Sequence, residues 1–216
     1  MMVIELGKEN SLLNQFISEM RDVKAQQDSM RFRRNVERIG EICAYEISKK
    51  LSWVNKAVTT PLGTAEMNVL KEQPVIATIL RAGLPFHHGL LSFFDKAENA
   101  FISAYRKHTF NGGFEVHVEY MACPDLNNKI LILCDPMLAS GQSIELVFKA
   151  LKRNGVPKHI HIVSIIASRA GVEYIQKHLP NNANLWVCAI DEELTAQSYI
   201  VPGLGDAGDL AYGEKL

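Results

Sequence analysis

The chain has 216 residues, a formal net charge of −1, and 47% hydrophobic and 22% charged residues. That size and balance suit one large domain with ample core, and near-neutral charge excludes a global pull toward nucleic acid or an anionic membrane. No stretch approaches the roughly 20 apolar residues that span a bilayer, and Glu5, Lys8 and Glu9 interrupt the N-terminus, so a cytoplasmic protein without a secretory signal is expected.

Residues 10–30 are polar with scattered apolar positions and read as a helix and a loop. Val36, Ile39, Cys43, Ile47 and Leu51 then fall on one face of a second helix. Arg31, Arg33, Arg34 and Arg38 precede or share it. They read as a solvated face paired with Glu37 and Glu41 in preference to an anion-binding patch. Thr59-Thr60-Pro61-Leu62-Gly63 is a turn or loop.

Val75-Ile76-Ala77-Thr78-Ile79-Leu80 reads as a buried strand, and Arg81-Ala82-Gly83 follows at once. An arginine at a strand's carboxyl end offers a fork of donors to phosphate or diphosphate; a surface turn is the other reading. Residues 84–94 form a helix, on which the adjacent His87 and His88 must point to different sides. A third strand covers 100–105. Arg106, Lys107 and His108 follow, and Asn111-Gly112-Gly113 lies between alternating segments, which signals a hairpin. This hairpin, 105–120, can act as a flap over a site or as a dimer-contact arm.

The stretch Ile130-Leu131-Ile132-Leu133-Cys134-Asp135-Pro136-Met137-Leu138-Ala139-Ser140-Gly141-Gln142-Ser143 runs from buried strand through tight loop into a helix over 144–151. Such a loop aims backbone N–H groups and the positive helix end at an anion. Ser140 and Ser143 add hydroxyls, and Asp135 at the strand's end can accept from sugar hydroxyls or help hold a metal. The combination points to a phosphorylated sugar. An ordinary turn capped by serine is the competing reading, and the P-loop lysine is absent.

Gly155 is read as a left-handed cap ending that helix. A strand over 161–167, a helix over 171–178 and a strand over 185–190 complete a strand–helix alternation. The predicted fold class is α/β, with a central mainly parallel sheet flanked by helices. His159 and His161 share one strand face and read as strand-edge residues. Cys43, Cys123, Cys134 and Cys188 form no C-x-x-C pair, and buried reduced thiols are expected.

Gly203-Leu204-Gly205-Asp206-Ala207-Gly208 matches G-x-G-x-x-G, yet only eight residues follow, so the βαβ context of a dinucleotide fingerprint is missing. Glycines here are read as letting backbone groups approach a small planar ligand. Asp206 and Asp209 bring acids to the same region.

At these residues the chain resembles the uracil phosphoribosyltransferases within the type I phosphoribosyltransferase family. The resemblance covers nearly the whole chain. It rests on the Phe32-Arg33 and Tyr45-Glu46 region, Thr60-Pro61-Leu62, Ile79-Leu80-Arg81-Ala82-Gly83-Leu84, Tyr105-Arg106, Asp135-Pro136-Met137-Leu138-Ala139 and residues 199–208. It implies a single domain with an N-terminal helical region (1–60), a core with the hairpin (61–194) and a C-terminal uracil-binding region (195–216). The implied reaction joins uracil to phosphoribosyl pyrophosphate, giving UMP and diphosphate, with Mg2+ bound mainly through the donor and no protein metal site.

The implied roles follow the motifs. Asp135, Pro136, Met137, Leu138, Ala139, Ser140, Gly141, Gln142 and Ser143 bind the ribose 5-phosphate, with Asp135 toward the ribose hydroxyls. Arg81 and Arg106 face diphosphate, Ile200, Gly205 and Ala207 contact uracil through the backbone, and Asp206 sits beside the sugar and magnesium. Asp135, Asp206 and Arg106 are the expected catalytic residues. GTP, which activates some members, is a candidate effector, and a homodimer or higher homo-oligomer is expected.

Three stretches depart from the family pattern: Gln142 replaces a glycine, Lys107-His108 follow Arg106, and Pro85-Phe86-His87 replaces a usual Gly-Met. They motivate one alternative, a catalytically silent homologue. Another is an RNA-binding pyrimidine regulator on the same fold, which a pI near 6.7 argues against.

Overall fold

The run Ile130–Cys134 has no polar face, and in the computed structural model it is buried throughout at the middle of a sheet covered on both sides. The structure describes residues 1–108 and 114–215, with the backbone alone over 105–108 and 114–117. The strands are β1 (Met2–Glu5), β2 (Trp53–Thr60), β3 (Gly63–Leu70), β4 (Val75–Leu80), β5 (Glu98–His108) and β6 (Phe114–Ala122). They continue as β7 (Ile130–Cys134), β8 (Met137–Leu138), β9 (His159–Ser168), β10 (Ala183–Asp191), β11 (Glu193–Leu194) and β12 (Ile200–Val201). The helices are α1 (Leu12–Arg21), α2 (Ser29–Ser48), α3 (Gly83–Phe93), α4 (Gln142–Leu151), α5 (Arg169–His178) and α6 (Ala207–Tyr212).

The main sheet has the order β1-β10-β9-β7-β4-β5-β6, with β8 paired to β9. Every pairing is parallel except β5 with β6. After β4 the chain builds outward through β5 and β6, then returns so that β7 pairs with the other side of β4, Thr78 opposite Cys134. The strand order therefore reverses between β4 and β7, and the loops leaving their carboxyl ends open a crevice there.

Alternation along β7 feeds two cores. Ile130, Ile132 and Cys134 join the layer with α1, α2 and α3, while Leu131 and Leu133 join the layer with α4 and α5. Each fully buried aliphatic side chain contributes about 1.5–3 kcal/mol to that closure. α2 starts where the Asp28 carboxylate accepts from the Arg31 N–H at 3.0 Å. It buries the predicted face through Val36, Ile39, Cys43 and Ile47. Among the described residues, no helix is long and apolar enough to cross a membrane.

Two expectations need correction, and others gain detail. The segment 1–60 is not helical alone, since it contributes β1 to the main sheet and all of β2. The turn at Thr60-Pro61-Leu62-Gly63 is the tip of an exposed hairpin in which β2 and β3 pair from Trp53–Leu70 to Thr60–Gly63. Gly155 follows a short 3-10 turn with φ 123° and ψ 175°, positive in φ but extended, so it is no left-handed cap. The ladder of the second hairpin runs to His108 opposite Phe114; its Asn111-Gly112-Gly113 turn lies outside the described residues. His87 is buried and His88 exposed.

The arginine-rich face is paired, but more widely than expected. Arg34 meets Glu37 at 2.8 Å and Glu41 at 3.7 Å. Arg31 instead reaches Glu19 on α1 with two bonds of 2.9 Å. Arg31, and Asn35 beside it, hold the Glu19 carboxyl down at about 2. Arg33 donates to the Ala211 carbonyl at 2.6 Å and ties α2 to α6.

The four cysteines are free. Burial pushes the Cys134 thiol up to about 12. Cys43 and Cys188 sit with their sulfurs 3.7 Å apart, and their mutual hydrogen bond together with burial raises the Cys43 thiol well above its ordinary range.

Candidate active site

Asp135 leaves β7 with its N–H on the Val163 carbonyl at 3.1 Å, and the Pro136 carbonyl accepts from Ile165 and Ile166 at 3.0 Å each. The loop is thus stitched to β9 before it turns. The Asp135 carboxylate accepts from the Met137 N–H at 3.3 Å. From the far side, Ser168 Oγ donates to the Ala139 carbonyl at 2.6 Å and accepts from the Gly171 N–H at 2.8 Å. One hydroxyl therefore caps α5 and anchors the loop. Asp135, Met137, Leu138, Ala139, Ser140, Gly141 and Ser143 line a single cleft.

The N-cap of α4 is Gly141, and among the described residues no side chain caps the helix. The reading of an ordinary serine-capped turn is overturned, and the first N–H groups of α4 stay available to an anion. The left-handed conformation falls on Gly141, at φ 82°, so Gln142 begins the helix without the strain its substitution for glycine could have brought. Glu145, an acid in the first turn, is drawn away from the cradle. Lys149 lies 2.6 Å from one oxygen, the Tyr174 hydroxyl donates to the other at 2.6 Å, and both hold the carboxyl below its usual range.

Arg81 leaves the neighbouring strand β4. Its Nη2 donates to Asp209 at 2.8 Å and its Nη1 to the Gly213 carbonyl at 3.2 Å. The strand-end arginine and the glycine-rich C-terminal segment, 128 residues apart, meet over the crevice.

That segment is ordered. β12 pairs with β11, Ile200 and Ala207 are buried, and Asp206 caps α6 through Oδ1, accepting from Gly208 at 2.8 Å and Asp209 at 3.1 Å. Asp206 Oδ2 lies 3.6 Å from Lys215 Nζ. Arg106 lies in β5 opposite Val116, and its side chain is outside the described residues. The structure brings together Arg81, Asp206 and Asp209, while Asp135 and the loop to Ser143 form the cleft on the neighbouring strand. A larger hollow, about 420 Å3 between β6 and α4, holds Met121, Leu146 and Arg153 and shares no residue with this site.

Among the described residues, no three His, Cys, Asp or Glu side chains converge into a metal cage. Asp206 still offers one carboxylate oxygen outside its capping bonds, which fits a magnesium ion that takes most ligands from phosphate and water. Reading the sequence missed Asp209 as the partner of Arg81 and missed Arg21 and Asp191, which hold the Gly203 turn. No local motif marks those partners; each pairing joins residues far apart in the chain.

A family model described as uracil phosphoribosyltransferase matches residues 8–214. A uracil phosphoribosyltransferase of Porphyromonas gingivalis is 61% identical over 216 residues, covering 100% of both chains. One of Methanothermobacter thermautotrophicus is 40% identical over 188 residues, covering 86% of this chain and 85% of its own. Among solved structures, the AQ2163 protein of Aquifex aeolicus superimposes with a TM-score of 0.86 at 30% identity, covering 98% of each chain.

Proposed function

The chain belongs to the uracil phosphoribosyltransferase family, and from that premise we propose how its residues divide the family's work. The enzyme joins uracil to 5-phospho-α-D-ribose 1-diphosphate, forming UMP and diphosphate, on the type I phosphoribosyltransferase fold. The observation that carries the assignment of roles is the meeting of Arg81 with the 206–213 segment beside an uncapped anion cradle.

The 136–143 loop holds the 5-phosphate through the N–H groups of residues 138–143 and the start of α4, while Pro136, which has no N–H, and Met137, whose N–H is on Asp135, shape the turn. Asp135 accepts from the ribose hydroxyls. A carboxylate there suits sugar better than phosphate, because a second anion would be repelled. Arg81 and Arg106 bind diphosphate; Arg81 engages Asp209 and Gly213 with two of its donors and keeps others for a phosphate oxygen. Ile200, Gly205 and Ala207 read the uracil edge with backbone groups, and Asp206 stands beside the sugar.

As the bond between ribose and diphosphate breaks, charge builds on the leaving group and the ribose becomes oxocarbenium-like. Fixed arginines and backbone donors stabilise that charge because they need no reorganisation. Magnesium carried on the donor supplies further positive charge at the diphosphate. The β5–β6 hairpin is the element proposed to keep water from the donor.

We assay UMP formation from donor, magnesium and uracil, with cytosine and hypoxanthine as controls and GTP present or absent. UMP from uracil alone supports the reading, and no UMP under any condition overturns it. Self-association belongs to the same proposal. It is supported by the β2–β3 hairpin, which exposes Trp53, Val54, Val58, Leu62 and Met67 and is too small to be stable alone in water. Light scattering of the purified chain measures it, and a monomer at micromolar concentration contradicts it.

A further inference from the structure

Arg21 closes α1, and Asp191 closes β10, 170 residues away. The two guanidinium nitrogens donate to the two carboxylate oxygens, Nη1 to Oδ2 at 2.7 Å and Nη2 to Oδ1 at 2.8 Å. Nη1 also donates to the Gly203 carbonyl at 2.9 Å. The Gly203 N–H donates to Asp191 Oδ2 at 2.9 Å. One bidentate pair therefore holds both backbone groups of one residue. The Asp191 side chain is 8% exposed and that of Arg21 24%, so water competes little for these bonds.

Gly203 is the residue through which the C-terminal segment turns. Its φ is 56°, and a Cβ there would lie 2.1 Å from the Ile200 carbonyl oxygen, so only glycine fits. The segment is pinned before the turn by the pairing of Thr195 N–H with the Tyr199 carbonyl at 2.8 Å. After the turn it is pinned by the Asp206 cap. The Arg21–Asp191 pair fixes the piece between.

We propose that Arg21 and Asp191 are positioning residues for the base subsite. They set the Gly203 peptide, and through it the direction of the backbone groups that read uracil. The inference rests on the proposed reading of uracil by residues 200–207. A base recognised through backbone groups meets no side chain that could swing to follow it. Discrimination then depends on how rigidly the backbone is held.

The test compares Arg21→Gln, Arg21→Lys and Asp191→Asn with the wild type. A lysine keeps an ion pair but lacks the fork that spans Asp191 and Gly203 together. Arg21→Lys is therefore expected to melt near the wild type while the KM for uracil rises about 10-fold, with the donor KM changed less than about 2-fold. Arg21→Gln and Asp191→Asn give the same selective rise, and the double variant is no worse than either alone. An unchanged uracil KM in all three variants, or equal rises for both substrates, overturns the proposal.

Failure of the functional reading is separate: the wild type itself would then make no UMP. Hydrogen exchange decides the positioning role in that case. Amides of 203–207 are expected to exchange faster in Asp191→Asn while those of β7 do not change, and equal exchange throughout overturns it.

Discussion

Gly171→Ala tests the anchoring of the phosphate loop, because two opposing effects predict different signs. Gly171 lies in the first turn of α5, where alanine is favoured over glycine by about 1 kcal/mol. Were the helix alone the issue, the variant would be more stable. The added Cβ would lie 2.2 Å from the Ala139 carbonyl oxygen and 2.8 Å from that of Leu138. The loop would have to retreat by about 1 Å to reach ordinary contact, pulling Ala139 off the 2.6 Å bond from Ser168. Overpacking of this kind costs about 1–3 kcal/mol. A displacement of about 1 Å at a substrate-positioning loop costs on the order of 100-fold in rate. The expectation is a small net loss of stability, a few degrees in Tm, with kcat/KM for the donor down on the order of 100-fold. Thermal melts and initial rates with donor varied at saturating uracil measure both. A variant that melts higher than wild type with unchanged donor kinetics would refute the anchoring.

Asp206 caps α6 and is proposed to stand beside the sugar, and two variants separate these roles. Asp206→Asn keeps a capping oxygen and is expected to melt within about 0.5 kcal/mol of wild type with UMP formation strongly reduced, whereas Asp206→Ala loses about 1 kcal/mol more. Arg81→Gln removes the charge that meets Asp209, and should raise the donor KM on the order of 10-fold with the uracil KM little changed. Stability should also fall in acid. Burial lowers His87 from 6.5 to about 4 and His161 from 6.5 to about 3. Both rings are then neutral in the fold but charged in the unfolded chain below pH 6.5, so stability is complete above that pH and declines as pH drops toward 4. At pH 5 the loss is about 2 kcal/mol per ring, readable as a shift in denaturation midpoint; a histidine NMR titration with either ring near 6.5 contradicts it.

The sequence carried the sheet because its central strands are buried on both faces. The apolar runs of β4, β7, β9 and β10 need no partner to be recognised. β1 is four residues long and owes its conformation to pairing with β10. β2 and β3 leave most residues exposed, and the apolar residues of β2 come in adjacent pairs, Trp53-Val54 and Ala57-Val58, so no period-2 signal marks the strand. α6 was hidden by Gly208, a poor helix former, and exists because Asp206 caps it and Arg33 holds the Ala211 carbonyl.

The same distinction holds at the site. Asp135, the loop to Ser143 and Arg81 are visible as strand-end chemistry. The Gly203 turn and its Arg21–Asp191 support are long-range pairings that no window of sequence reveals.

The most direct measurement is a crystal structure with UMP bound. The account predicts the phosphate within the 136–143 loop at the start of α4, the ribose hydroxyls on Asp135, and the uracil edge on backbone groups of Ile200, Gly205 and Ala207. A phosphate bound elsewhere, such as the hollow beside Lys149 and Arg153, or a base held away from residues 200–207, would contradict it.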